Sequence, residues 1–294
     1  MATWIVFSVF AALMQSVRTA GQKQLSNTLS PMSVTLVRYL FGLPFIILYV
    51  AFLFGGSTAT EVSNALVTPR FLVYATLAGV AQIIATVLLV KVFSFRNFAV
   101  GTSFAKTEAI QTAIFGVVFF GASLSSTGWL AVLVGFIGIA IVSLPKSKSP
   151  WQLSNVVLGT LSGTAFSFTS LWLREASLSL SATAVHSAAI TLLVMVVIQT
   201  AICLVYSTVS EPGQLRLLPS RIRLGLFVGL TSALGSIGWF TAMTLQNPAL
   251  VKSIGQVEFI FTLLITTLFF KEKISGREYL GMTFIVASVI ILLS

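Results

Sequence analysis

The sequence predicts an all-α polytopic membrane protein, with ten transmembrane helices arranged as two inverted five-helix repeats. Three observations predict it: the composition, the length of the apolar runs and an internal repeat. Of the 294 residues, 56% are hydrophobic and only 8% are charged, against roughly a quarter charged in a soluble domain. Water cannot be the solvent for most of such a surface. In lipid every backbone N–H and C=O must be satisfied internally, so only helices or a closed barrel can cross. Barrel strands alternate apolar and polar residues over about ten positions, whereas Phe41–Phe54 and Ile110–Phe120 are predominantly apolar runs. Helices are the remaining choice.

A crossing takes about 20 residues, and the chain divides accordingly. The first half gives spans over 3–24, 32–54, 71–91, 98–120 and 126–144. The second gives 152–174, 183–207, 222–244, 248–270 and 276–293. The first span, with Trp4–Val17 at its heart, lacks the basic flank of a signal peptide and is kept as a span. Polar or turn-forming joints separate the others: Asn27 to Pro31, Gly55-Gly56, Lys146 to Pro150, and Glu211-Pro212-Gly213. The longest connections, about 55–70 and 208–221, are too short to hold a soluble domain.

Shifting the chain by 150 residues lays the fourth and fifth spans on the ninth and tenth. Asn97 meets Asn247, Ser103 meets Ser253, Glu108 meets Glu258, Thr112 meets Thr262 and Ser125 meets Ser275. A shift of 151 aligns Lys23 with Arg174, Ser26 with Ser177 and Ser30 with Ser181. Apolar matches are common between membrane helices, but Asn and Glu matches at one offset are not. The halves are therefore 1–147 and 148–294. Five spans is an odd number, so the second half enters the membrane with the opposite orientation, an inverted repeat. Exchanging the conformations of two inverted halves turns an outward-open cavity into an inward-open one. That favours a transporter.

The formal charge of +10 would suggest nucleic acid in a soluble protein. Here the cations sit mainly in short joints, and no basic stripe with interleaved aromatics lies outside the membrane, so no nucleic-acid partner is expected. The odd-numbered connections and their flanks carry Arg18, Lys23, Lys91, Arg96, Lys146, Lys148, Arg216, Arg221, Arg223, Lys271, Lys273 and Arg277. The even-numbered ones carry Arg70, Arg174 and Lys252. By the positive-inside rule the odd connections are cytoplasmic and both termini lie outside. Cys203 is the lone cysteine, so no intrachain disulfide forms. One His, no Asp and no metal-ligand spacing argue against an enzyme, a metal or a cofactor.

With two five-helix halves in about 300 residues, the chain resembles the ten-helix, EamA-like branch of the drug/metabolite transporter superfamily. The similar features are Arg38 within Ser33–Tyr39, Asn247-Pro248-Ala249 at the start of the ninth span, and Phe269–Ser275 joining the ninth to the tenth. The basic joint after Phe270 departs from the more usual Gly-Glu. The resemblance implies a central cavity enclosed by spans one to four and six to nine, with five and ten peripheral. It also implies that a lysine near the start of the ninth span contacts substrate, as in nucleotide-sugar and triose-phosphate relatives; Lys252 holds that place here.

Charge within a membrane is costly and usually faces a cavity or a partner. Lys106 and Glu108 in the fourth span, and Lys252 and Glu258 in the ninth, are the leading candidates. Asn97 to Glu108 is eleven residues, which at 100° each returns to within about 20° of one face. Asn247 to Glu258 repeats the spacing. Two readings stay open. Each glutamate pairs with a Lys or Arg of another helix and holds the bundle together, or the two are titratable gates or cation partners where the halves meet. Proton coupling suits the second reading, because desolvation favours a neutral carboxyl.

Lys252 stands one turn into its span with Gln256 at i+4, near a helix N-terminus suited to a carboxylate or phosphate. Snorkelling to the interface is the alternative. Arg38 is expected to pair with Glu108 or Glu258. Tyr39, Gln82, Trp172 and Trp239 are candidates to line a cavity and stack an organic substrate, with ordinary packing as the alternative. His186 is a candidate proton relay or a packing residue. Gly159-x-x-x-Gly163 and Gly225-x-x-x-Gly229 read as close helix contacts.

The expected function is secondary active transport, as exporter or exchanger, of a small polar or amphipathic metabolite such as an amino acid or organic ion. The alternative is a passive channel or a non-transporting membrane sensor. The expected location is the cell inner membrane, multi-pass. The expected partners are the metabolite, the lipid bilayer and coupling protons, with no oligomer required. No Walker motif is present, so the energy would come from a gradient or from exchange.

Overall fold

The computed structural model describes residues 3–93, 104–143, 153–270 and 275–293, and every regular element among them is a helix. In chain order α1 (Thr3–Leu25) is followed by α2 (Pro31–Leu40) and α3 (Leu43–Phe54). A 3-10 turn at Gly55–Ser57 leads into α4 (Thr58–Leu66), then α5 (Pro69–Phe93), α6 (Glu108–Phe120) and α7 (Ser126–Ser143). The second half holds α8 (Leu153–Leu178), α9 (Ala184–Ser210), the single turn α10 (Pro212–Leu215) and α11 (Ile222–Leu245). It ends with α12 (Pro248–Gly255), α13 (Glu258–Phe270) and α14 (Gly276–Leu293).

The unbroken helices α1, α5, α8, α9 and α11 have 23 to 27 residues. At 1.5 Å per residue that is about 35 to 40 Å, more than the hydrocarbon thickness. Among the described residues seven helical stretches are long and apolar enough to cross a membrane. These are Thr3–Leu25, Pro31–Leu66, Pro69–Phe93, Leu153–Leu178, Ala184–Ser210, Pro219–Leu245 and Gly276–Leu293, with Glu108–Phe120 and Ser126–Ile141 as shorter apolar helices. Leu48, Phe52, Val118, Val205 and Ile290 lie exposed while Arg18, Arg38 and Glu258 are buried. That inverts the pattern of a water-soluble protein, as expected where lipid is the solvent.

Three expected spans differ in detail. The second is broken at Phe41-Gly42, because Pro44 has no N–H to continue the ladder and α3 restarts from Gly42. The ninth is interrupted between Gly255 and Glu258, and the fourth by a turn at Lys106-Thr107. The expected connection at 55–70 is mostly helix, as α4. The start of the fourth span, 98–103, and Asn97 lie outside the described residues.

The repeat matches acquire local causes. Ser125 and Ser275 stand just before α7 and α14, where their hydroxyls accept from the N–H groups of Gly128 and Glu278. Glu278 reaches back to the Ser275 N–H at 2.6 Å, a capping box. Thr112 and Thr262 donate to the carbonyls of Glu108 and Glu258, one turn back. Asn247 caps α12 by accepting from the Ala249 N–H at 2.9 Å. With Asn247 as an N-cap and the helix interrupted before Glu258, the uninterrupted 100° count between those two residues does not apply.

Packing repeats across the halves. The most extensive contacts are α1 with α11, α5 with α8 and α7 with α14. With the first span equivalent to the sixth and the third to the eighth, α1·α11 and α8·α5 are one interface made twice. Similarly, α6 against α8 answers α12 and α13 against α1.

Small residues permit the closest approaches. A Cβ on Gly229 of α11 would lie 2.4 Å from the Phe41 carbonyl carbon, and one on Gly225 would lie 3.1 Å from the Phe41 ring. The backbone of α11 thus seats against the break between α2 and α3. Gly229→Ala should lower the thermal unfolding midpoint in detergent, by a loss of about 1–3 kcal/mol from overpacking. Gly213→Ala, where an added Cβ meets nothing within 4 Å, should leave the midpoint unchanged or raise it slightly.

Candidate functional site

The two helix interruptions lie at the same place in the repeat. Before α6 the chain turns at Lys106-Thr107, with the Thr107 N–H bonded to the Phe104 carbonyl at 3.1 Å. Before α13 it turns at Gln256-Val257, with the Gln256 and Val257 N–H groups bonded to the Ser253 and Ile254 carbonyls. These tight i→i+3 bonds end one helical segment so that the next begins on a glutamate. Glu108 and Glu258 are the first residues of α6 and α13, where the positive end of the helix dipole favours a carboxylate.

Each carboxylate pairs with the lysine of the other half. Lys106 Nζ lies 2.5 Å from Glu258 Oε2, and Lys252 Nζ lies 2.6 Å from Glu108 Oε1. The lysines stand at different distances from their glutamates along the chain, yet the pairing is reciprocal. Glu258 also accepts from Gln15 Nε2 at 2.7 Å, and Gln15 Oε1 accepts from the Trp239 indole N–H at 2.9 Å. An indole only donates, which fixes the Gln15 amide with its NH2 toward the carboxylate. Lys252 Nζ stands 4.6 Å from the centre of the Trp239 ring, a cation–π contact. Only glycine at position 255 admits that ring, since a Cβ there would lie 2.4 Å from it. Six side chains, five of them on five helical segments and Lys106 in the turn before α6, thus form one connected network between the halves.

This network lies at one end of a cavity whose empty space, mouth included, is about 770 Å3. Of the sequence-predicted residues, Lys106, Glu108, Lys252, Glu258, Arg38, Gln82 and Trp239 line it. Gln256 lines a smaller adjoining pocket with Glu108 and Glu258, and its amide is packed where a Cβ on Gly135 would touch it. Tyr39 is buried in the core beside the cavity, under the Arg38 guanidinium at 5.2 Å. One step along α2 turns its side chain about 100° from that of Arg38. Trp172 packs on Phe168, itself stacked on Phe115, outside the cavity.

Arg38 does not pair with a glutamate, because both carboxylates are taken by lysines; it donates to Thr86 Oγ1 at 2.9 Å. Gln82 accepts from Gln199 Nε2 at 2.8 Å. His186 is in the first turn of α9, its Nδ1 2.5 Å from the hydroxyl of the capping Thr183 and its ring edge-on to Phe54. It is part of a helix start, away from the cavity.

Sequence reasoning missed the wall formed by α1. Gln15, Arg18 and Thr19 line the cavity, and Arg18, counted above among the flanks of a joint, is buried. Lys252 is likewise in the cavity. Without these two, the cation bias between odd and even connections becomes eleven to two. The missed signal was Gln15, Arg18, Thr19 and Gln22, a polar stripe at helical spacing within an apolar helix. At the offset of 151, Gln15, Arg18 and Thr19 meet Phe166, Thr169 and Ser170 of α8, and all six line the cavity. At the offset of 150, Leu89 and Phe93 of α5 meet Trp239 and Met243 of α11, again all lining. The cavity is therefore made from equivalent positions carrying different chemistry.

A family model described as the EamA-like transporter family matches residues 2–144 and again 149–294. The chain belongs to the EamA-like transporter family. As a member it is a multi-pass membrane protein of the drug/metabolite transporter superfamily, in a family whose members are generally transporters. A crystal structure described only as "Crystal structure of protein" is one of 28 matching chains of solved structures. It has a TM-score of 0.77, covering 99% of this chain and 96% of that one at 14% identity, a likeness of fold. The comparison with curated protein sequences gives no match.

In this EamA-like family member the pairs across the halves should behave as coupled units. Glu108→Gln leaves Lys252 without its countercharge and should cost about 3–5 kcal/mol of stability, as for other buried pairs broken on one side. Adding Lys252→Met should recover most of that loss. Denaturant unfolding of the two single variants and the double variant measures the coupling; additive losses would show that the pair is not one.

Proposed function

We propose that this chain is a secondary active transporter, an exporter or exchanger, that moves a small polar or amphipathic metabolite across the cell inner membrane by alternating access. In this reading ten helices cross the membrane, the fourth and ninth as interrupted spans, and the two five-helix halves are inverted. The observation that carries it is the reciprocal pairing of Lys106 with Glu258 and Lys252 with Glu108 at matching helix interruptions beside a cavity. Interrupted helices at the interface of inverted repeats are where secondary transporters hold substrate and coupling ions.

The mechanism follows from the equivalence of the halves. The structure has one arrangement of each half, and exchanging the two arrangements would open the opposite side. The ion pairs are the contacts that must loosen in that exchange, and substrate or proton binding would offset their loss. A proton on Glu108 or Glu258 removes the attraction to its lysine. The glutamates thus serve both as bundle ties and as gates. Both termini would lie outside, given the cation bias of the odd connections.

Purified protein in proteoliposomes should show saturable uptake and countertransport against a panel of metabolites. Flux that neither saturates nor exchanges would mean a channel, and no flux of any kind would count against transport. Glu108→Gln and Glu258→Gln should abolish accumulation driven by a pH gradient while sparing exchange. If both variants keep the wild-type pH dependence, the glutamates do not handle protons.

A further inference from the structure

We propose that the cavity selects an organic anion, whose carboxylate lies between Arg18 and Arg38 and whose apolar body faces α8 and α11. This rests on the transport reading above and names its substrate class. The cavity is lined by four cations, Arg18, Arg38, Lys106 and Lys252, and by only two carboxylates, Glu108 and Glu258. Both carboxylates lie within 2.6 Å of a lysine. The arginines carry the excess of two positive charges. Each is only 4% exposed. Arg38 has the neutral Thr86 hydroxyl as its hydrogen-bond acceptor, and Arg18 Nε has none.

No other acid among the described residues serves them. The chain has seven acidic residues, all glutamates. Glu175 pairs with Arg70, Glu211 accepts from the hydroxyls of Ser30 and Ser33, and Glu278 caps α14. Glu61 lies on α4, remote in the chain from the cavity wall and not part of its lining. Two buried guanidiniums facing one cavity with no carboxylate paired to them directly among the described residues are costly in a low-dielectric interior. A guanidinium fork matches the two oxygens of a carboxylate.

The fold itself does not require the arginines. At the offset of 151 the residue equivalent to Arg18 is Thr169, and α9, the counterpart of α2 and α3, contains no Arg or Lys at all. The second half builds the same architecture without them. Beside the arginines, α8 and α11 add Phe166, Leu173, Trp239 and Phe240 to the lining, together with the hydroxyls of Thr169, Ser170 and Ser236. A bare chloride would satisfy the charge but leave the apolar side chains facing empty space. A small acid with a hydrocarbon or aromatic body satisfies both.

The test uses matched ligand triplets on the purified full chain: phenylacetate, phenylacetamide and phenethylamine, and likewise isovalerate with its amide and amine. These keep the body and change only the charge, and the readout is the shift in thermal unfolding midpoint. The acids should raise the midpoint and the amides and amines should not. Arg18→Gln and Arg38→Gln should each weaken the response to the acid by about tenfold to a hundredfold, the loss of a charged hydrogen bond. Removing an uncompensated charge should leave the midpoint of ligand-free Arg18→Gln at or above the wild-type value, so the variant remains measurable.

Equal shifts within a triplet, a preference for the amines, or no shift with either acid overturns the proposal. So does a shift produced by added chloride alone with no response to the acids. Binding needs no flux, so the two readings fail separately. An acid that binds but is never moved sinks transport and leaves the site. A neutral or cationic cargo that is moved does the reverse.

Discussion

An ionised side chain inside a membrane must find a partner there, and the centre of this protein is arranged around that requirement. Glu108 and Glu258 begin α6 and α13, and each carboxylate is met by a lysine from the other half. The requirement fixes more than the pairs themselves. The helices restart at the glutamates, which sets each carboxylate at a helix N-terminus. Gly255 must be small so that Trp239 can lie beneath Lys252. Gln15 must sit where one amide serves both Trp239 and Glu258. The two halves are thus joined by the ion pairs and by the extensive packing of α1 with α11, α5 with α8 and α7 with α14.

Equivalence and difference between the halves carry separate information. The interfaces and the helix interruptions are duplicated, as alternating access between inverted halves would need. The cavity wall is not duplicated in its chemistry. Gln15, Arg18 and Thr19 face Phe166, Thr169 and Ser170 across the pseudo-symmetry, and Leu89 and Phe93 face Trp239 and Met243. What repeats belongs to the architecture; what does not repeat is free to serve a particular cargo.

Much of this was legible in the sequence. The apolar runs located the helices to within a few residues at most ends, and the Glu108/Glu258 match located the helices that meet at the cavity. The interruptions at Lys106-Thr107 and Gln256-Val257 were not legible, because neither contains Gly or Pro at the turn itself. They are local i→i+3 turns that coincide with the reciprocal ion pairs between the halves. Arg38 was expected to pair with a glutamate because a charge within a span is legible in sequence but the partner it reaches is not. Arg18 was misread for a related reason. Near the end of a span, a loop cation and a cavity cation look alike, and only the stripe it forms with Gln15, Thr19 and Gln22 separates them. Tyr39 and Trp172 were grouped with Trp239 as candidate cavity aromatics, yet a helical bundle has as many inward faces as neighbours. Which of those faces borders empty space is set by the packing of all the helices together.

The charge arrangement also bears on how binding and gating relate. The cations of the lysine pairs and the two arginines line one cavity, so a bound carboxylate would be felt by all four. It would neutralise the arginines directly and, at short range and low dielectric, weaken the hold of each lysine on its glutamate by offering a competing anion. On the transport reading, an empty cavity would keep the lysines on Glu108 and Glu258 and the halves tied, and an occupied one would lower the cost of parting them. Coupling of this kind requires no contact between substrate and gate beyond the shared field. It requires only that the cavity hold an excess of positive charge and that the ties between the halves be ionic, and both conditions are met by Arg18, Arg38 and the two reciprocal pairs.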